Sequence, residues 1–320
     1  HRTLLPDDLV RQQRFGAAPL VPGIRELRLG LDAAAVLKKM APKGIQKLTR
    51  LRTQSWIESG AESRLVYRGN TAGPKSSNDA WSAAAVAGGD FVLRQIRKDG
   101  RFHYQYFPLK DKHPSPKKSG YSIPRHAGTV YSLALLYRHT GEARFRIGAE
   151  KAIGWLAKRI QKSCGVSDGG CVKRRGRADL GSAALTAVGF LEYQRSTGDD
   201  RYAAEAHRLL RFIMFLQRDD GDFHHLYDLK TKAIRPEIRS MFYSEEAALA
   251  LVMGHKILGK PGYLQAAEAA LNYLTGPKYD FFLGRFIFGA DHWTCIAAEE
   301  AWPNLTASRY LEFCTEYAEF

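Results

Sequence analysis

One short pattern recurs through the second half of the chain and limits what it can fold into. Thr140-Gly141-Glu142-Ala143-Arg144-Phe145 is echoed by Thr197-Gly198-Asp199-Asp200-Arg201-Tyr202. Looser copies follow at Leu258-Gly259-Lys260-Pro261-Gly262-Tyr263 and Leu305-Thr306-Ala307-Ser308-Arg309-Tyr310. Each copy sits between two stretches with helical spacing of apolar residues. Ala127, Val130, Ala134 and Tyr137 precede the first copy; Ala184, Val188 and Leu191 the second; Ala247, Ala250, Leu251 and Gly254 the third. The segments 145–161, 202–217 and 263–275 follow with the same period. Glycine just after a helical run is a stop signal, because it takes the left-handed position cheaply. Acidic residues after it suit the first turn of a new helix. The unit is therefore helix, tight turn, helix.

A second signal closes the units. Asp99-Gly100-Arg101-Phe102-His103-Tyr104 and Asp220-Gly221-Asp222-Phe223-His224-His225 match, and Asp168-Gly169 is a related turn. Counting back from Asp99 makes 79–97 the second helix of an earlier unit. About five hairpins are recognisable, and a sixth if the N-terminal region holds one. Successive hairpins stack as an open solenoid or close into a ring. Small residues on the first helices and irregular spacing of the repeat favour closure. The fold expected is mainly α, a ring of five to six helical hairpins over 79–320. Residues 1–78 form an N-terminal extension packed on it, with short strands at 24–36 and 64–68 and a linker over Thr71–Asn78.

The chain has 320 residues and a net charge of +15, which favours anionic partners. Three basic clusters carry much of it: Lys110, Lys112, Lys117 and Lys118; Lys173, Arg174, Arg175 and Arg177; Lys230, Lys232, Arg235 and Arg239. All read as loops. No apolar run approaches the roughly 18 residues of a spanning helix. The chain opens on His1, so an upstream signal is compatible with it, and a periplasmic or secreted setting is the expectation. The four cysteines include no CxxC pair, which disfavours a zinc knuckle. Cys164 and Cys171 close a short Gly-rich loop, as a disulfide or as free thiols. The sequon Asn304-Leu305-Thr306 carries little weight by itself. No P-loop, dinucleotide fingerprint or HExxH motif occurs, so no cofactor or metal is expected.

In such hairpins the short Thr-Gly turns share one end, and the Asp-Gly loops and the starts of the first helices share the other. Polar clusters recur at those starts: Arg125 with His126, Asp179, Tyr243 with Glu245 and Glu246, and Asp291 with His292 and Trp293. The basic loops, Tyr104, Tyr106 and Tyr227 fall at the same end. Helix N-termini favour anions, aromatic faces stack on sugar rings, Arg forks bind carboxylate or sulfate, and Tyr, Glu and His exchange protons. His126, Tyr243, Glu245 and His292 are the candidate catalytic residues. Tyr104, Tyr106, Arg125, Tyr227, Arg239 and Trp293 are the candidate substrate-binding residues. Each also has a structural alternative: a helix cap for Asp179, Glu245 or Asp291, a satisfied core histidine for His126, core packing for Trp293, and loop sealing for the tyrosines.

The second helices, such as Tyr202-Ala203-Ala204-Glu205-Ala206 and Tyr263-Leu264-Gln265-Ala266-Ala267, and the Asp-Gly-x-Phe loops resemble those of the (α/α) toroid superfamily of carbohydrate-active proteins. The resemblance covers residues 79–318 and is strongest to the helical domain of glucuronyl C5-epimerases. It implies an epimerase, glycoside hydrolase or lyase acting on an acidic glycan or uronic acid. Tyr243 with Glu245 or Glu246 would then remove and return a proton beside a carboxylate. The Cys-Cys-His metal set of the related lanthionine cyclases is absent. The alternative is a non-catalytic module that binds an anionic polysaccharide. Nucleic acid is the disfavoured partner, since no motif for it is present.

Overall fold

The structure is a computed structural model, and it describes residues 55–59, 62–67, 70–71, 77–114, 120–240, 242–278 and 291–319. The first strands form an antiparallel sheet of β1 (Ser55–Ser59), β2 (Glu62–Tyr67) and β3 (Asn70–Thr71), with Ser55 opposite Val66 and Tyr67 opposite Asn70. The strand expected over 64–68 falls within β2 and its margin. The one expected over 24–36 lies outside the described residues, as does most of the expected extension.

Helix α1 (Asn78–Arg94) starts where Ser77 Oγ accepts the Ala80 N–H. Four hairpins follow: α2 (Ile123–Thr140) with α3 (Ala143–Ala157), α4 (Leu180–Thr197) with α5 (Ala203–Phe215), α6 (Tyr243–Leu258) with α7 (Pro261–Leu274), and α8 (His292–Ala301) with α9 (Ser308–Glu319). Helices α2, α4 and α6 end as expected, on Gly141, Gly198 and Gly259 in the left-handed conformation.

Within each hairpin the two helices have different jobs. The first helices, α2, α4, α6 and α8, pack side by side in sequence order. Helix α4 is buried from Leu180 to Tyr193, and α6 from Ser244 to Gly254. A helix buried on all sides needs small residues to let neighbours approach. Gly189 of α4 supplies one such contact: a methyl there would lie 3.1 Å from Val130 Cγ1 of α2. The second helices are amphipathic, as in α5, which buries Ala206, Leu209, Leu210, Phe212 and Ile213. The row of first helices curves. Tyr131 on α2 and Trp293 on α8 bring their rings to 6.4 Å across the interior.

Between hairpins the chain makes small sheets that the sequence reading took for loops. Strands β4 (Ile160–Lys162) and β5 (Gly170–Val172) pair antiparallel, and Cys164 and Cys171 are disulfide-bonded between them. Strand β6 (Arg177–Asp179) pairs with β7 (Leu226–Asp228), which pairs with β8 (Ala233–Ile234). This last sheet joins the loops of two successive hairpins. A second disulfide, Cys295–Cys314, ties α8 to α9. No helix among the described residues is long and apolar enough to cross a membrane.

The two ends of the inner row differ in chemistry. At the C-terminal end, buried Glu192 accepts from Arg138 Nε at 2.8 Å, from Ser196 Oγ at 3.0 Å and from Arg195. Arg195 also reaches Glu300 at 2.8 Å, and Lys256 reaches Glu300 at 2.9 Å. Those charges come from all four first helices and satisfy one another. At the N-terminal end no such network among the described residues joins all four helices, and the candidate site lies there.

Candidate functional site

The site is built where α4, α6 and α8 begin. Asp179 is both the last residue of β6 and the N-cap of α4, its Oδ1 accepting the Ser182 N–H at 2.7 Å. Pairing with β7 holds it there, and Leu180 N–H donates to His225 O at 3.0 Å. Burial raises the Asp179 carboxyl above the usual range. Gly181, one turn in, is obligatory for the packing: a Cβ would lie 2.3 Å from the Tyr243 ring and 2.7 Å from Glu246 Oε2. Those two side chains of α6 therefore meet α4 at one point.

Glu245 and Glu246 are 0% and 5% exposed. Two carboxyls this deep are costly unless compensated. Glu245 Oε1 takes an ion pair from Lys278, whose Nζ also lies 2.8 Å from Asp291 Oδ1. Burial still pushes Glu245 up to about 8. No cation among the described residues stands beside Glu246. Burial, then the neighbouring carboxyls of Glu245 and Asp179, raise it well above the ordinary glutamate value. The environments differ in the way that separates a proton donor from the more readily ionised group. Burial also raises the Tyr243 phenol, so it stays protonated.

Five buried oxygen atoms have no hydrogen-bond partner among the described residues: Glu245 Oε2, Glu246 Oε2, Ser182 Oγ, Thr186 Oγ1 and Thr294 Oγ1. All five belong to α4, α6 and α8. Each buried unsatisfied polar group costs about 1–3 kcal/mol, and these five lie on adjoining helices. No group of three or more His, Cys, Asp or Glu among the described residues is arranged to hold a metal ion.

A network beside α6 fixes its start. Ser240 N–H donates to His225 Nδ1 at 2.6 Å, leaving Nε2–H to donate to Ser244 Oγ at 3.0 Å. Ser244 Oγ–H then donates to Asp222 Oδ1 at 2.6 Å, and Arg239 pairs with the same carboxylate. Burial takes the His225 imidazole down to about 4, in keeping with this neutral tautomer.

The other residues expected at the site are placed as follows. His126 is buried, its Nδ1 accepting from Tyr121 OH at 2.7 Å and its Nε2 bonded to Ala152 O at 3.0 Å. Burial pushes it down to about 4. With both nitrogens engaged it bolts α2 to α3 and is not grouped with the glutamates. Tyr104 OH accepts from Arg125 at 3.0 Å, and Tyr104 lines a shallow cleft with Arg97, His103, Gln105, His113 and Tyr121. Tyr106 OH donates to Asp111 at 2.7 Å. Tyr227 is buried against Phe212 and Phe215, sealing the loop. Arg239 holds Asp222, His292 is exposed next to Trp293, and Trp293 faces Tyr131. Lys278 escaped the sequence reading: a single lysine after Gly276-Pro277 carries no periodicity that points to it. Ser182 and Thr186 had a usable signal, two small polar residues one turn apart in a stretch from Leu180 to Leu191 that is otherwise without polar side chains.

No protein-family model matches the chain, and no curated protein matches it. Solved structures do match. The family 76 α-mannanase of Bacteroides thetaiotaomicron aligns with 13% identity and TM-score 0.54, over 66% of this chain and 60% of that one. A sugar epimerase from a ruminal bacterium aligns with 13% identity and TM-score 0.57, over 74% of this chain and 69% of that one. An inactive α-1,6-mannanase of Salegentibacter, with two consecutive aspartates changed to alanine and bound to an α-1,6-linked mannotetraose, gives 12% identity and TM-score 0.54, over 75% and 86%. The chain thus spans about 60% of the first of these. At such identities the likeness concerns the fold: the chain has the mainly α, (α/α) toroid architecture shared by these carbohydrate-active enzymes, and the likeness does not single out glucuronyl C5-epimerases.

Proposed function

We propose that the chain is a glycoside hydrolase acting on an acidic polysaccharide, with Glu246 as proton donor and Glu245 as the carboxylate that assists attack on the sugar. The observation that carries this reading is the pair of adjacent buried carboxyls with unequal surroundings, each with an oxygen that no described residue engages. Glycoside cleavage needs one protonated and one ionised carboxyl about the scissile bond. Glu246 holds its proton because no cation among the described residues offsets its burial. Glu245, which burial pushes up to about 8, ionises before Glu246 because Lys278 stands beside it, so the form with Glu246 protonated and Glu245 ionised gains population as pH rises toward 8. The mannanase whose inactive form lacks two consecutive aspartates lends support, since this chain also carries two consecutive acids. The acidic substrate is supported by the net charge of +15 and by the cleft at Tyr104 that Arg97 and Arg101 line. Two disulfides fit an oxidising compartment.

One observation favours a second reading, epimerisation beside a carboxylate. Tyr243 and Glu246 converge over Gly181, so a phenol and a carboxyl share one spot. Product analysis separates the two. Incubation with polyuronate should yield new reducing ends and incubation with neutral α-mannan should not; a change of sugar configuration without chain cleavage would establish the epimerase instead. Glu246→Gln should lower turnover by about a hundredfold or more while the far-ultraviolet circular dichroism stays unchanged. Near-wild-type turnover in that variant would remove Glu246 from the mechanism.

A further inference from the structure

Two hairpin tips beside the site carry a concentration of charge that the proposed chemistry does not use. The turn Lys173–Gly176 leads into β6, and the turn 229–232 joins β7 to β8. The sheet brings the tips together: Arg177 lies opposite Asp228, Leu229 N–H donates to Gly176 O at 2.9 Å, and the Lys230 side chain runs beside Gly176. Lys173, Arg174, Arg175, Arg177, Lys230 and Lys232 are all exposed, and none forms an ion pair with a described residue. The one acid between them, Asp228, spends its Oδ1 on the backbone N–H groups of Lys230 and Thr231. Arg235, the next cation, is already matched to Glu237.

Like charges gathered without counter-charges repel, and a fold gains nothing from collecting them on one small sheet. Arg175 and Lys232 also occupy the left-handed region, with φ 48° and 52°. Asn or Gly sits there more easily, so the charge is held at both tips against the local preference. The sheet is continuous with the site. Strand β6 ends in Asp179, the N-cap of α4, and Tyr243 and Glu246 lie against Gly181 two residues further on.

We infer that the paired tips form an anion-binding exosite that grips carboxylate or sulfate groups of an acidic polysaccharide and leads the strand toward Glu245 and Glu246. The ligand class rests on the reading of the site as a sugar site; the patch itself rests on geometry and charge. Nucleic acid fits less well, because residues 173–177 and 229–235 include no aromatic side chain for bases to stack on.

The test titrates the protein with an oligogalacturonate of about ten sugars, a neutral mannan oligosaccharide of similar length and a single-stranded DNA of matched charge, at several salt concentrations. The variant replaces the tips together: Lys173→Gln, Arg175→Gln, Lys230→Gln and Lys232→Gln. Lys151→Gln with Lys158→Gln, exposed near and after the end of α3, serves as control. Oligogalacturonate affinity should fall about tenfold or more in the tip variant and stay unchanged in the control. Wild-type affinity should weaken with salt, as screened charges require. Unchanged oligogalacturonate binding in a folded tip variant would overturn the exosite, as would DNA binding tighter than the acidic sugar. Turnover is read separately with Glu246→Gln. Loss of binding in the tip variant alongside full turnover by Glu246→Gln would keep the exosite and discard the hydrolase.

Discussion

A buried carboxyl with no cation beside it keeps its proton, and one with a lysine beside it gives that proton up sooner. This single difference sets Glu246 apart from Glu245, although they are neighbours in sequence. It has a consequence for stability that needs no substrate. Folded Glu245 titrates at about 8, against an ordinary value of 4.5. Between those pH values the folded state holds a proton that the unfolded state has released. Stability therefore falls as pH rises through that window and is level on either side of it. Glu245→Gln removes the contribution. The melting temperature of the variant minus that of wild type should climb from pH 5 to pH 8 and then level off. A difference that stays constant over this range would show that Glu245 ionises normally. At the same scale, the sequence pointed to Tyr243 and Glu245 through their place at a helix start. It could not separate Glu246 from Glu245, because the distinction comes from Lys278, which only the fold brings near. His126 shares the signal of a polar residue at a helix start, yet its surroundings are Tyr121, Trp155 and the Ala152 carbonyl.

At the scale of elements, the four inner helices are locked at one end, while toward the other α4, α6 and α8 carry buried oxygens that no described residue engages. Glu192 is the centre of the locked end, fully buried and shared by Arg138 and Arg195. Removing its charge strands the guanidinium groups around it. Breaking one side of a buried pair costs about 3–5 kcal/mol, and the partial exposure of the arginines puts the expected loss at the lower end. Glu192→Gln should lower the urea midpoint without changing the slope, and should leave the affinity for oligosaccharide unaltered, since the site lies at the opposite end. Altered sugar affinity would mean that the ends are coupled. The helices themselves were legible, because glycine stops and closing aromatics repeat. The strands β4 to β8 were not: each has three residues or fewer, too short for an alternating pattern. The basic runs in and beside them read as loops, although two of the runs flank a sheet that spans two hairpins.

At the scale of the molecule, the inner row is held most firmly through α4 and α6 and least firmly in the last described hairpin. Helix α9 buries only Tyr310 and Phe313, and Phe313 packs apart from the main core, with Cys295, Cys314 and Tyr317 around it. So small an apolar contact stabilises the helix weakly, roughly 2–3 kcal/mol for each fully buried large side chain. The Cys295–Cys314 bond supplies what packing does not, by restricting the unfolded chain between residues 19 apart in sequence. A loop of that size corresponds to about 3 kcal/mol. Replacing both cysteines with serine should therefore loosen this hairpin before anything else. In hydrogen exchange, α9 and the end of α8 should lose protection first, while α4 and α6 exchange as in wild type. Because Asp291 sits at the start of α8 and shares Lys278 with Glu245, turnover should fall with that loosening, by less than in Glu246→Gln. Uniform loss of protection throughout the ring would instead mean that the hairpins unfold as one cooperative unit, and that the staple supports the whole closure.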